Sequence, residues 1–152
     1  MSIYLVQHGK SFSKDIDPER KLTEEGKADV RRIAETAKHY QIKVSSIKHS
    51  GKKRAAETAE IFAQYLEPQK GIEEISGLNP MDDVRKFAES LSAGDNIMYT
   101  GHLPFMEKLV SLLTAGDEEK RIIKFQNGGI VCLDQDDDSG WFIKWTLMPE
   151  IK

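Results

Sequence analysis

The first apolar run of the chain, Ile3-Tyr4-Leu5-Val6, stops at the polar triplet Gln7-His8-Gly9. The same event recurs far downstream, where Ile97-Met98-Tyr99 runs into Thr100-Gly101-His102-Leu103-Pro104. Short apolar runs bounded by glycine and polar residues read as buried strands. Between them lie segments whose apolar residues recur at helical spacing, and strands that alternate with helices assemble into a parallel sheet covered on both faces. A histidine at the carboxyl end of such a strand faces the crevice where open α/β sheets bind ligands.

The intervening pattern supports this reading element by element. Thr23 is a helix N-cap with Glu24 and Glu25 in the first turn, and Gly26, Val30, Ile33, Ala34 and Ala37 share one face. A second strand covers Val44 to Lys48. Ser50 is expected to cap the next helix, whose face carries Ala55, Thr58, Ala59, Phe62, Ala63 and Leu66 before Pro68 stops it. An extended segment follows at Ile72 to Ile75. Asn79-Pro80 is expected to open a helix with Asp82 and Asp83 in its first turn, ended by Gly94. Pro104 opens a further helix closed by Gly116, and Gly129–Leu133 with Trp141–Leu147 form a hairpin. The expected fold class is α/β: a three-layer α/β/α sandwich on a mostly parallel mixed sheet, one domain over residues 1–152, with Lys10 to Lys21 looping over the site.

Composition narrows the function. The 152 residues carry a net charge of −3, with 39% hydrophobic and 31% charged residues. A dedicated nucleic-acid binder is normally basic, so no nucleic-acid partner is expected; the basic run Lys48 to Arg54 is one turn rather than a face. No run approaches the ~20 apolar residues of a membrane span, and no secretory signal is evident, so no membrane partner and a cytoplasmic location are expected. Cys132 has no partner for a disulfide and sits in an apolar run as an inert buried thiol. Asp134, Asp136 and Asp138 alternate as in a calcium loop, but Ser139 and Trp145 replace the glycine and glutamate such a loop needs. They read as a solvated hairpin tip. No Cys/His cluster suits zinc and no P-loop signature is present, so neither metal nor cofactor is expected.

A single histidine at a strand end is most often satisfied by backbone groups. Two of them, His8 and His102, each beside a glycine that admits a ligand close to the backbone, form a stronger pattern. Arg54 falls at the start of a helix, where free N–H groups already favour an anion and a guanidinium adds paired donors. His49 and His39 carry no comparable context. Two imidazoles and a guanidinium at one sheet mouth suit a phosphoryl group.

In order and spacing, Gln7-His8-Gly9, Leu22-Thr23-Glu24-Glu25-Gly26, Ser50-Gly51-Lys52-Lys53-Arg54-Ala55-Ala56-Glu57-Thr58 and Gly101-His102-Leu103-Pro104 resemble the histidine phosphatase superfamily, which has the phosphoglycerate mutase-like fold. Its signatures are Arg-His-Gly, Leu-Thr-x-x-Gly, Ser-x-x-x-Arg-Ala-x-x-Thr and a late Ser/Gly-His. The short length and the His-Leu-Pro form look most like the SixA-type phosphohistidine phosphatases. The resemblance implies that His8 is the nucleophile, that Arg54 and His102 hold the phosphoryl oxygens, and that Gln7, Gly9, Ser50 and Gly101 line the phosphate site without a metal or cofactor.

Two departures matter. The family places arginine before its first histidine; here Gln7 is neutral, and Lys10, Lys14, Arg20 and Lys53 are the candidates to replace the charge. No general acid can be assigned, although Asp82 and Asp83 are available. Imidazole, with a pKa of ~6.5, leaves without the strong acid that an alkoxide needs. The expected function is hydrolysis of a protein-borne phosphohistidine through a covalent phosphohistidine on His8. A small-molecule phosphomonoesterase and a catalytically weak phosphate- or phosphoprotein-binding module are the alternatives.

Overall fold

The computed structural model describes residues 1–151. Its strands are β1 (Ile3–Gln7), β2 (Ser46–His49), β3 (Ile72–Glu74), β4 (Ile97–Gly101), β5 (Ile130–Gln135) and β6 (Trp141–Leu147). Its helices are α1 (Glu24–His39), α2 (Lys53–Leu66), α3 (Val84–Ala88) and α4 (Phe105–Ala115). The strands form one sheet in the order β3-β2-β4-β1-β5-β6. The pairs from β3 to β1 are parallel, while β5 runs antiparallel to both β1 and β6. This is the mixed α/β sheet expected from the alternation of elements.

Strand alternation supplies both cores. Tyr4 and Val6 of β1 join the cluster beneath α1 and α2, whereas Ile3 and Leu5 join the one beneath α3 and α4. Burial on both faces explains why β1 reads as a continuous apolar run. The α1 stripe is the expected one, with Gly26, Val30, Ile33, Ala34 and Ala37 buried, and Thr23 accepts from the Gly26 N–H as its N-cap. Gly116, at φ 74°, closes α4 in the left-handed conformation that glycine adopts without steric cost. Cys132 is buried and free. The aspartate-rich segment is a hairpin tip in which Asp136 Oδ1 accepts from the Asp138 and Gly140 N–H groups.

Three expectations are corrected. Ser50 does not cap α2; Lys52 occupies the N-cap without a side-chain bond. The Ser50 hydroxyl is instead engaged by His102. The helix expected from Asn79-Pro80 starts only at Val84, because Asp83 caps there by accepting from Arg85 and Lys86 N–H groups, and the Asp82 carboxylate accepts from Asn79 N–H and closes a turn. That helix ends by Ala88, and Gly94 lies in a separate 3₁₀ turn, Ala93–Asp95.

Candidate active site

The sheet order assembles the site. Strands β2, β4 and β1 are neighbours, and in their register Gln7 lies beside Gly101 and His49 beside Thr100. The residues that follow, His8, Ser50 and His102, therefore emerge together at the carboxyl end of these parallel strands. The His8 N–H donates to Gly101 O (2.9 Å), and the His8 and His102 rings lie 5.2 Å apart between centroids. Gly101 is tightly enclosed: a Cβ there would come within 2.7 Å of Met106 Cε.

Helix α2 is fastened to this end by two threonines. Thr58, fully buried, accepts from Gly9 N–H (3.0 Å) and donates to Arg54 O (2.7 Å). Thr100 donates to Ala55 O (3.0 Å). These bonds fix the first turns of α2, and with them Arg54, beside the histidines. Behind His8, Asn127 Nδ2 donates to His8 O (3.0 Å) and Gly128 N–H donates to Gln7 O (2.8 Å). Gly26 has backbone of Lys10 directly against it, leaving no space for a Cβ. That close approach explains why the Leu-Thr-x-x-Gly pattern ends in glycine.

The protonation states follow from the bonds. His8 Nδ1 lies 2.7 Å from Gly9 O, and a carbonyl can only accept, so Nδ1 carries the proton. Nε2 then holds a free lone pair. Burial lowers the His8 pKa to about 4 against the favourable Gly9 bond, with Arg54 and Arg20 adding repulsion. Burial also lowers His102 to about 3, reinforced by His8, Arg54, Lys52 and Arg20. Both rings are neutral at neutral pH. His102 Nε2 meets Ser50 Oγ at 2.6 Å, and Lys52 N–H donates to that same oxygen (3.4 Å). With Ser50 as donor to Nε2, His102 carries its proton on Nδ1 and turns that N–H toward the site. His102 Nδ1, Arg54 Nε and Gln7 Oε1 are buried without a hydrogen-bond partner among the described residues. Arg54 Nε–H is an unspent donor that suits an anion, whereas Gln7 Oε1 is an acceptor and does not.

Of the residues singled out in the sequence, Gln7, His8, Gly9, Ser50, Arg54, Gly101 and His102 gather at this one end of the strands. His49 instead accepts from Gly51 N–H through Nδ1. Asp82 and Asp83 serve the turn and cap described above. Thr58, Thr100 and Asn127 were not anticipated as supports. Thr58 belongs to a recognisable motif, but Thr100 and Asn127 act through partners remote in sequence. Among the described residues no group of His, Cys, Asp or Glu is arranged to hold a metal, and no helix is long and apolar enough to cross a membrane.

A family model, histidine phosphatase superfamily (branch 1), matches residues 3–82, just over half of the 152 residues. The chain belongs to the histidine phosphatase superfamily. No curated protein matches it. Among solved structures, the protein histidine phosphatase SixA complexed with tungstate aligns at a TM-score of 0.85 and 24% identity, covering 98% of this chain and 97% of that one. A mycobacterial glucosyl-3-phosphoglycerate phosphatase aligns at 0.68 and 12%, covering 95% and 97%. Phosphoglycerate mutase from Plasmodium falciparum aligns at 0.69 and 22%, covering 95% and 88%. This member of the superfamily thus has the phosphoglycerate mutase-like fold.

Proposed function

We propose that the chain is a phosphohistidine phosphatase that takes a phosphoryl group from a protein-borne phosphohistidine onto His8 and passes it to water. The observation that carries the reading is the Nδ1–H···O=C bond from His8 to Gly9. It presents a neutral Nε2 lone pair to phosphorus. As the Nε2–P bond forms, the substrate's P–N bond breaks, and a substrate ring protonated on its other nitrogen leaves as neutral imidazole. The phosphorylated His8 ring still holds the Nδ1 proton and so carries positive charge, which the Gly9 carbonyl stabilises. Water then adds to phosphorus, the P–Nε2 bond breaks with its electron pair returning to nitrogen, and dihydrogen phosphate leaves with both water protons. Arg54 and His102 Nδ1–H bind the oxygens on which charge accumulates.

The leaving group sets the substrate class. The carboxylates nearest in sequence to the site are already engaged, Asp82 and Asp83 in the turn and cap before α3 and Glu57 with Leu22 N–H, so none is assigned as a proton donor to the leaving group. General acid catalysis contributes ~10²–10⁴ in rate where the leaving group needs a proton. Phosphohistidine and phosphoramidate should turn over, and p-nitrophenyl phosphate, whose phenolate leaves unaided, should also react. Glycerol phosphate, an alkyl ester, should be slower than phosphohistidine by ~10² or more. His8→Asn should abolish both turnover and covalent labelling, while His102→Ala should slow turnover severely and leave some labelling. Glycerol phosphate turned over faster than phosphohistidine would establish a phosphomonoesterase instead. Binding of phosphohistidine without turnover would establish a binding module.

A further inference from the structure

We propose that Arg20 is the second cation of the phosphoryl site, contacting the bound oxyanion in place of the arginine that Gln7 replaces. This rests on the phosphoryl-transfer reading above. The loop from Lys10 to Lys21 folds back on itself: Phe12 N–H donates to Lys21 O (2.9 Å), Thr23 N–H donates to Lys10 O (3.0 Å), and Ser11 bridges Leu22. Leu22 N–H then donates to Glu57 Oε1 (2.9 Å), which lies on α2 three residues beyond Arg54 and so on the same side of the helix. Arg20, two residues before Leu22, is thereby set between the strand end that carries His8 and the helix turn that carries Arg54.

The other cations named from the sequence are spent or distant. Lys10 Nζ pairs with Glu25 (2.7 Å) and lies near Asp29 and Glu150. Lys53 Nζ pairs with Glu19 (2.7 Å). Lys14 is exposed. Arg20 makes no ion pair among the described residues; its Nε donates to Phe12 O (3.3 Å), which orients the guanidinium and leaves its two terminal nitrogens uncommitted. Its charge also reaches all three site groups, adding to the lowered pKa of His8, Arg54 and His102, whereas Lys52 contributes only at His102.

The backbone is built for this placement. Arg20 has φ 54°, a left-handed conformation that a non-glycine residue adopts only at a steric cost. The turn that imposes it is tied by Asp17, whose backbone carbonyl accepts from Arg20 N–H (2.9 Å) and whose carboxylate accepts from Glu19 and Lys21 N–H groups. With neutral histidines and a neutral Gln7, Arg20 and Arg54 leave two positive charges to meet a phosphoryl dianion.

The test is tungstate affinity by calorimetry together with kcat/KM for phosphohistidine. Arg20→Gln should weaken tungstate binding about tenfold or more and lower kcat/KM by ~10²; Arg20→Lys should retain an intermediate value. Lys10→Gln and Lys53→Gln should stay within about twofold of wild type. Gln7→Arg added to Arg20→Gln should restore tungstate affinity, and Gln7→Arg alone should give little gain because the charge is already supplied. Wild-type affinity in Arg20→Gln, no recovery in the double variant, or a tenfold gain from Gln7→Arg alone would each overturn the role of Arg20 while leaving His8 labelling intact. Loss of labelling and of tungstate binding in the wild-type chain would overturn the underlying reading as well.

Discussion

Thr58 shows how much of this site's geometry depends on a buried side chain bonded only to backbone. Its hydroxyl takes the Gly9 N–H and gives its proton to Arg54 O, so one side chain holds both the strand end behind His8 and the first turn of α2. Thr58→Val keeps the shape and leaves the buried Gly9 N–H unsatisfied, at a cost of about 1–3 kcal/mol. Thr58→Ser keeps the hydroxyl and should recover most of that loss. Chemical denaturation of the two variants checks the stability, and their kcat/KM should fall and recover in parallel. The motif containing Thr58 was readable in the sequence, as were both histidines and Arg54. Ser50 was misread because a serine before a helix is normally its cap, and the partner that claims its hydroxyl, His102, lies 52 residues away. That Lys10 and Lys53 are paired with carboxylates was equally closed to the sequence, since it is contacts in three dimensions that commit them.

Elements with local signals were legible. Helix α1 has its cap, its acidic first turn and its apolar stripe within a short span, α4 has Pro104 and Gly116 at its ends, and the β5–β6 pair flanks a polar tip. Helix α3 was overextended because Asn79-Pro80 carries a strong opening signal that Asp82 diverts into a turn. The junction between α1 and the loop gives a sharp test. Gly26 faces the Lys10 backbone, so a methyl group must displace either the helix or the loop. Alanine would favour an isolated helix by about 1 kcal/mol, yet Gly26→Ala should destabilise the protein by about 1–3 kcal/mol through overpacking. A thermal melt should show a lower midpoint, and a raised midpoint would refute the close contact.

At the scale of the molecule, two buried imidazoles tie stability to pH. Their pKa values of about 4 for His8 and about 3 for His102 lie below the free value near 6.5. Between those limits the unfolded chain takes up protons that the folded chain refuses. Their contribution is fully present above about pH 6.5 and is lost as pH falls toward the folded values, on the order of 3 kcal/mol for His8 alone. Urea unfolding from pH 7 to 4 should therefore show a decline that flattens in the His8→Asn/His102→Asn variant. Ring signals in nuclear magnetic resonance should show both histidines still neutral at pH 5.5; titration of either near 6.5 would contradict the assignment.

Strand β1 lies between β4 and β5, both of which follow it by some ninety residues or more in the chain, so it leaves the ribosome well before either neighbour. Its end is clasped only when Asn127 and Gly128 reach His8 and Gln7. A nascent chain carrying β1 alone holds His8 with neither the second imidazole nor its backbone clasp. Contacts so distant in sequence form late. Products of interrupted synthesis that stop short of this segment lack the clasp of Asn127 and Gly128 on the end of β1.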